Sequence, residues 1–192
     1  DIPHDEEWYL KREISWNYWQ DYQTYLIRQM WPTRVVNSMD LVTNKILGLL
    51  QDPQDTGDWE RRGLVIGHVQ SGKTANYIGL ISKAADAGYK FIIVIAGIHN
   101  NLRRQTQERI DRGFIGRDSV TKEYIGVGEI SPKRAMPLTV TALESDFNKS
   151  LARRFDMELK SLNNTFILVI KKNVNTLSSL YTWLKQLNTR KE

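Results

Sequence analysis

The sequence predicts an α/β fold, with a mostly parallel sheet flanked by helices and an N-terminal helical extension. Three observations support this prediction. An eight-residue, glycine-containing loop, Gly67–Thr74, joins a short apolar run to a helical pattern. A second apolar run at 91–96 follows that helix, which gives the strand, loop, helix, strand order of a parallel unit. Residues 1–60 instead repeat apolar side chains at helical spacing.

Residues 1–60 form the predicted helical extension. Aromatic and apolar side chains recur at spacings of three and four between Trp16 and Leu26, and Pro32 can open a second helix at its first turn. Side chains at such spacing usually pack between helices, so we interpret the aromatic stripe as packing rather than as a base-stacking platform. The predicted apolar stripe of the second helix consists of Val35, Met39, Val42, Ile46 and Leu49.

The loop Gly67–Thr74 fits the pattern G-x-x-x-x-G-K-[S/T] at every fixed position. In such a phosphate-binding loop, glycines turn backbone N–H groups toward one point at a helix N-terminus. We expect Lys73 to reach the β- and γ-phosphates of a nucleoside triphosphate and Thr74 to bind Mg²⁺. The predicted nucleotide-binding residues are Gly67, His68, Val69, Gln70, Ser71, Gly72, Lys73 and Thr74.

The flanks of the loop favour a nucleotide site over an ordinary glycine turn. The run 63–66 suits a buried parallel strand, and 74–87 reads as a helix that Gly88 ends as a C-cap. Residues 61–192 form the predicted core. Its later elements are strands at 138–141 and 165–170, with helices at 147–162 and 174–187.

A polar, arginine-rich helix, 102–112, follows the second strand of the core, and Gly113 is expected to close it. Asn100 or Asn101 can cap its start. In a parallel sheet this segment lies at the carboxyl ends of the strands, on the edge where ligands bind. From the residues alone, a binding segment and a solvated helix with a pair such as Arg104 and Glu108 are equally compatible with the pattern.

Charge is distributed unevenly along the chain. Residues 1–60 carry 5 Lys and Arg against 11 Asp and Glu, whereas residues 61–192 carry 22 against 11. A basic core is consistent with a polyanionic partner such as nucleic acid, although it is also common on solvated surfaces. The chain has no cysteine and only three histidines, which excludes thiolate chemistry and argues against a histidine zinc site. Because it has no membrane-length apolar run and no secretory signal pattern, we expect no membrane partner and a cytoplasmic location.

A hydrolase of this class also needs an acidic residue at a strand end to hold Mg²⁺ and help place the attacking water. No predicted strand ends on one, and Asp146 is the nearest candidate. We therefore expect the chain to be the N-terminal part of a longer protein, incomplete at the C-terminus, that binds nucleotide better than it hydrolyses it. Two alternatives stay open: a small-molecule kinase with the same loop, and a non-catalytic nucleotide-binding module whose helical extension binds a partner.

Several segments of the chain closely resemble the Z-one domain family of predicted bacterial endonucleases. The resemblance is carried by Arg62–Tyr77, Lys83–Lys90, Ala96–Arg103 and Gln105–Arg109, and it extends from about Trp16 to the end of the chain. It implies a P-loop ATPase core similar to superfamily-two helicases, which uses ATP and Mg²⁺ and acts on DNA in bacterial restriction or defence, with possible partner proteins of such a system. It also implies that the acidic motif and further domains lie beyond Glu192.

In helicase-like motors of this kind, the segment after the second strand contacts the nucleic-acid backbone. The resemblance therefore favours a DNA-binding role for Asn100, Arg103, Arg104, Gln105 and Arg109. Nuclease chemistry is not carried over, because the chain has no carboxylate cluster with metal-site spacing. From position alone, Trp59, Arg61 and Arg62 are expected near the adenine.

Overall fold

The computed structural model describes residues 4–67, 72–132, 134–152 and 164–189. By its internal contacts the chain divides into two compact units, Asp1–Tyr89 and Lys90–Glu192. This division falls after the helix that follows the phosphate loop rather than near residue 60, because that helix packs on the N-terminal helices. The first unit is helical, and the second unit holds the sheet.

Three long helices build the first unit. They are α1 (Asn17–Arg28), α2 (Thr33–Leu49) and α3 (Lys73–Ala87), preceded by a 3₁₀ turn at Trp8–Lys11. Helix α3 contacts both α1 and α2, so the helix after the phosphate loop completes the helical unit. As predicted, α3 ends at Gly88, whose φ of +109° is in the left-handed region that favours glycine.

The aromatic stripe of α1 is buried, and its interpretation as packing is confirmed. Trp19, Tyr22 and Leu26 are each less than 5% exposed. The Tyr22 hydroxyl donates a hydrogen bond to the Ala75 carbonyl of α3 at 3.3 Å. Burial raises the pKa of Tyr22 far above its ordinary value, with smaller contributions from Tyr25 and Tyr77.

The predicted stripe of α2 is correct only in part. Met39 is buried, but Val35 and Val42 remain 38% and 44% exposed, and Leu49 is also exposed. The helix turns a neighbouring face inward, where Thr43 is tolerated because its hydroxyl donates to the Met39 carbonyl at 2.7 Å. The buried face consists of Val36, Met39, Thr43 and Leu47.

The predicted buried strand at 63–66 is wrong in this structure. Leu64, Val65 and Ile66 are 83%, 57% and 87% exposed, and no described residue pairs with them in a sheet. An apolar run becomes a buried parallel strand only where neighbouring strands and covering helices enclose it. The structure is therefore α/β with a small two-stranded parallel sheet, rather than the larger sheet that the sequence predicts.

The sheet of the second unit consists of β1 (Phe91–Ile95) and β2 (Phe166–Ile170). The strands are parallel, with Phe91 opposite Phe166. Both were predicted as strands, and β2 is buried along its whole length. The predicted strand 138–141 forms only a single parallel bridge, through Leu138, to the other side of β2.

Helix α4 (Asn100–Ile110) follows β1 and continues into a π-helical turn, Asp111–Ile115. The helix therefore begins two residues earlier than predicted and runs through Gly113, to end at Gly116 with a φ of +81°. Short helices α5 (Val127–Ile130) and α6 (Lys149–Ala152) follow. Of the predicted helix 147–162, the structure describes residues 147–152, and the remainder lies outside the described residues.

The last helix, α7 (Val174–Thr189), covers the sheet. Its Trp183 is 1% exposed and contacts the rings of Phe91 and Phe147 at centroid distances of 6.1 and 5.4 Å. These aromatic contacts join α7, β1 and the 147 segment in one core. Within the described residues, none of the helices has the length and apolar character needed to cross a membrane.

Candidate nucleotide-binding site

One end of the predicted phosphate loop, Gly72, lies at the start of α3. Gly72 precedes the helix with φ +75° and ψ 21°, a left-handed conformation that disfavours a side chain. Lys73 and Thr74 are then the first two residues of a 15-residue helix. The first N–H groups of such a helix have no partner within it, and its dipole adds positive potential at this end.

The two ends of the loop meet through Lys73. Its exposed ammonium donates a hydrogen bond to the Gly67 carbonyl at 2.6 Å. An anion that binds near this ammonium can compete with the Gly67 carbonyl for the same donor. Four of the eight predicted nucleotide-binding residues lie outside the described residues: His68, Val69, Gln70 and Ser71.

Asn76 tightens the turn that begins α3. Its backbone N–H and its side-chain Nδ2 both donate to the Gly72 carbonyl, at 3.0 and 3.3 Å. Its Oδ1 is buried and has no hydrogen-bond partner among the described residues. The loop therefore joins the helix at Gly72, whose carbonyl oxygen accepts these two hydrogen bonds and whose backbone has the left-handed conformation.

A cavity of about 400 Å³ opens beside this turn, between α2 and α3. The Trp31 ring lies 3.8 Å from where a Cβ on Gly72 would stand, so the cavity borders the loop directly. Val35, which the core leaves exposed, forms part of the apolar wall. The lining residues include Trp31, Arg34, Val35, Ser38, Gly72 and Asn76.

The other end of α3 is stabilised by a buried lysine. The side chain of Lys83 is 1% exposed, and its ammonium donates to the Asp40 carboxylate at 2.7 Å and to Asn44 Oδ1 at 2.5 Å. It also lies 4.4 Å from the centre of the Trp19 ring. Burial lowers the pKa of Lys83, and the hydrogen bond and charge of Asp40 oppose that shift. Sequence reasoning did not identify this group.

The residues expected near the adenine lie at that same carboxyl end of α3. Trp59 contacts the ring of Tyr89 edge to face at 6.1 Å, just past the end of the helix. Arg61 donates to Gln51, whose backbone carbonyl also accepts from the Tyr89 hydroxyl. Since α3 is about 22 Å long at 1.5 Å per residue, Trp59 and Arg61 are far from the loop at its other end, and this expectation is not supported.

In the second unit, the carboxyl ends of β1 and β2 bring several predicted residues together. Asn100 Oδ1 accepts a hydrogen bond from Lys171 Nζ at 2.9 Å, which joins the start of α4 to the residue after β2. The Asp146 carboxylate accepts from the backbone N–H groups of Phe147 and Lys171, at 2.7 and 3.3 Å. Asp146 therefore holds the segment before α6 against the end of β2, and it is already engaged by backbone donors.

The predicted nucleic-acid residues of α4 have different surroundings. Arg103 is 3% exposed and donates to the Leu143 carbonyl, and burial lowers the pKa of its guanidinium. Arg104 is exposed and pairs with Glu144 at 2.6 Å, rather than with Glu108 as considered from the sequence. Gln105 and Arg109 are exposed. A surface contact with phosphate is thus compatible with Asn100, Arg104, Gln105 and Arg109, but not with Arg103.

Comparisons with protein-family models, with curated proteins and with solved structures find no match to this chain. The site therefore has to be judged on its own geometry. Among the described residues, no group of three or more His, Cys, Asp or Glu side chains is placed to hold a metal ion.

Proposed function

We propose that the chain binds ATP with Mg²⁺ at Gly67–Thr74, as the nucleotide-binding part of a helicase-like, ATP-dependent enzyme that acts on DNA. The observation that carries the proposal is the start of α3. There a left-handed Gly72 leads directly into Lys73 and Thr74, and the Lys73 ammonium closes on Gly67. Glycine backbone, helix N-terminus and ammonium together supply the donors that a triphosphate requires.

The chemistry of the residues fits a polyphosphate better than a neutral ligand. On binding, Lys73 would exchange the Gly67 carbonyl for phosphate oxygens, and a charge-assisted bond to phosphate is the stronger of the two. The first N–H groups of α3 would donate to the same phosphates. The Thr74 hydroxyl would serve as the protein ligand of Mg²⁺, which keeps several of its waters in such sites.

Equilibrium titration with MgATP tests this proposal. We expect Lys73→Ala to weaken ATP binding by at least tenfold, since it removes a charge-assisted contact worth about 1.5–3 kcal/mol. Lys45→Ala is the matched control, because it removes an exposed lysine from the neighbouring helix α2. Equal ATP affinity in the wild type and Lys73→Ala would contradict the assignment of the loop.

The DNA part of the proposal rests on the carboxyl edge of the sheet. Arg104 in the first half of α4, together with Lys171 and Lys172 directly after β2, lies at the edge where ligands bind in open parallel sheets, and Arg109 is exposed further along α4. Arg104 is paired only with an exposed carboxylate, Glu144, at 53% and 66% exposure. Such a pair is worth little in water, so its arginine can turn to a phosphate at small cost.

Salt-dependent binding to single- and double-stranded oligonucleotides tests the DNA surface. The double variant Arg104→Ala, Arg109→Ala should bind more weakly and with a smaller salt dependence, because each lost phosphate contact removes about 0.7 to 0.9 from the slope. The charge-matched control is Lys90→Ala, Lys185→Ala. Lys90 precedes β1 and Lys185 lies late in α7, so both belong to the amino-end side of the strands. Identical slopes for the two double variants would remove α4 from the proposed surface.

A further inference from the structure

The cavity between α2 and the start of α3 is larger than core packing requires. It measures about 400 Å³, which lies within the range of small-molecule pockets, and Gly72 of the loop forms part of its wall. Whatever binds at the loop therefore has direct access to it. A triphosphate alone would leave this space empty, whereas the base and ribose of a nucleotide need such a space next to the phosphates.

The wall of the cavity has the composition of a base pocket. Trp31 is half-buried and presents an aromatic face close to Gly72. Val35 and Val42, at 38% and 44% exposure, follow on the same face of α2, although the core of the unit uses the adjacent face. Arg34 and Ser38 are exposed and supply polar groups at the rim. Flat aromatic and aliphatic walls with few polar groups are typical of sites that bind planar bases.

The position of Trp31 in the chain explains how the pocket is formed. Trp31 follows Met30, which has a φ of +63°, and precedes Pro32, where α2 begins. The turn between α1 and α2 therefore ends on the tryptophan, and the Pro32 ring restricts the conformation of the residue before it. These neighbours restrict the backbone of Trp31, which limits the positions that its ring can take beside Gly72.

We propose that this cavity binds the base and ribose of the nucleotide whose phosphates occupy the loop, with Trp31 as the stacking surface. The inference rests on the proposed function, because it places a second part of the same ligand. It gives the helical extension a direct role in nucleotide recognition. It also predicts that nucleotide affinity depends on residues more than thirty positions before the loop.

The test compares MgATP with inorganic tripolyphosphate, which has the phosphates without the base. In the full chain, Trp31→Ala should weaken ATP binding about tenfold or more, as expected for the loss of one stacked base, and leave tripolyphosphate affinity within twofold. Lys73→Ala should weaken both ligands. Trp59→Ala is the matched control, since Trp59 is also accessible to solvent but lies at the other end of α3, and it should change neither affinity.

Two further readouts separate stacking from a structural role of Trp31. Trp31→Phe keeps an aromatic face and should retain ATP affinity within about threefold, while losing the ATP-induced quenching of tryptophan fluorescence that we expect in the wild type. If Trp31→Ala binds ATP like the wild type while Lys73→Ala does not, the base pocket is wrong and the phosphate site stands. If Trp31→Ala weakens tripolyphosphate as much as ATP, the stacking role is also wrong. If the wild type binds neither ligand, the proposed function itself fails, and the pocket with it.

Discussion

Helix α3 carries two lysines, ten residues apart, whose surroundings are opposite. Lys73 is the first residue of the helix, and its exposed ammonium donates to a loop carbonyl. Lys83 is buried between α2, α3 and the Trp19 ring, and it donates to Asp40 and Asn44. The ammonium at the amino end of α3 is thus exposed, whereas the carboxyl half of the helix is covered by the other two helices.

Helix α4 shows the same contrast between two arginines that are six residues apart. Arg103 is buried against the Leu143 carbonyl, and Arg109 is exposed. In each helix, the buried residue that stabilises the fold and the exposed residue are of the same type: two lysines in α3 and two arginines in α4. A basic residue near a functional motif is therefore not evidence for binding until its burial is known. The comparison can be tested by measuring stability and binding for each member of the two pairs.

The largest difference is expected between the two lysines. Lys83→Ala should lower the free energy of unfolding by about 3 kcal/mol, because it leaves a cavity and removes the donor from Asp40 and Asn44. Lys73→Ala should stay within about 0.5 kcal/mol of the wild type, as is usual for an exposed site. Urea unfolding measures both values. Equal destabilisation by the two substitutions would contradict the contrast on which the comparison rests.

A smaller effect is expected for the two arginines. Arg103→Ala should lower the free energy of unfolding by about 2 kcal/mol, since a buried side chain and the hydrogen bond to Leu143 are both lost. Arg109→Ala should change it by less than about 0.5 kcal/mol, while still lowering affinity for DNA. Thermal unfolding and oligonucleotide binding of the two variants check the pair. If Arg103→Ala is as stable as Arg109→Ala, its burial does not contribute to the fold.

The pH dependence of stability should also reveal Lys83. Its pKa is lowered by burial from the ordinary value of 10.5, so between the lowered pKa and 10.5 the unfolded chain binds more protons than the folded chain. Stability from this group therefore rises with pH through that window. Lys83→Met keeps the length of the side chain and cannot titrate. The difference in unfolding free energy, wild type minus Lys83→Met, should grow in favour of the wild type as the pH rises above the lowered pKa toward 10.5.

The unfolding free energies of the wild type and Lys83→Met must be compared at the same pH, because the titration of Tyr89 changes stability in the opposite direction. Burial raises the pKa of Tyr89 to about 12, with a further contribution from Asp52, so the folded chain holds that proton more tightly. Its contribution to stability is lost as pH rises above the ordinary tyrosine value of 10.0, equally in both proteins. A difference that stays flat with pH would show that Lys83 has an ordinary pKa.

The smallest effect is expected at the exposed ion pair of Arg104 and Glu144. Arg104→Ala should change the free energy of unfolding by less than about 0.5 kcal/mol, because exposed pairs contribute little. Its effect on the salt dependence of DNA binding should be a decrease in slope of up to about one. A clear loss of stability in this variant would mean that the pair belongs to the fold rather than to a binding surface.

Local patterns in the sequence were enough to predict the long helices and two of the strands. The helical spacing of α1, the glycine that ends α3, and the apolar runs of β1 and β2 all depend on neighbours in sequence. The run 63–66 has the same apolar character, yet it is exposed, because a parallel strand needs partners from elsewhere in the chain. Composition alone does not reveal whether those partners are in place.

The sequence predicts the loop of the candidate site through a local motif, whereas the surroundings of the loop leave no such pattern. The spacing of Gly67, Gly72, Lys73 and Thr74 is a local motif, and the structure gives Gly72 the left-handed geometry that the motif requires. The cavity beside Trp31 could not be predicted, because it depends on which face α2 turns inward, and the stripe at Val35 and Val42 was assigned to the core. The available sequence signal for the cavity is Trp31, which lies directly before the proline at the start of α2.

The most direct test of the nucleotide site is urea unfolding with and without saturating MgATP. A ligand that binds only the folded chain stabilises it by about 2.7 kcal/mol when its concentration is one hundred times its dissociation constant. We predict this increase in the wild type, and an increase of about 1.4 kcal/mol or less in Lys73→Ala at the same ATP concentration, as a loss of affinity of tenfold or more gives. An unfolding free energy of the wild type that does not change with MgATP, or an equal increase in Lys73→Ala, would contradict the assignment of α3 and its loop as the site of ATP binding.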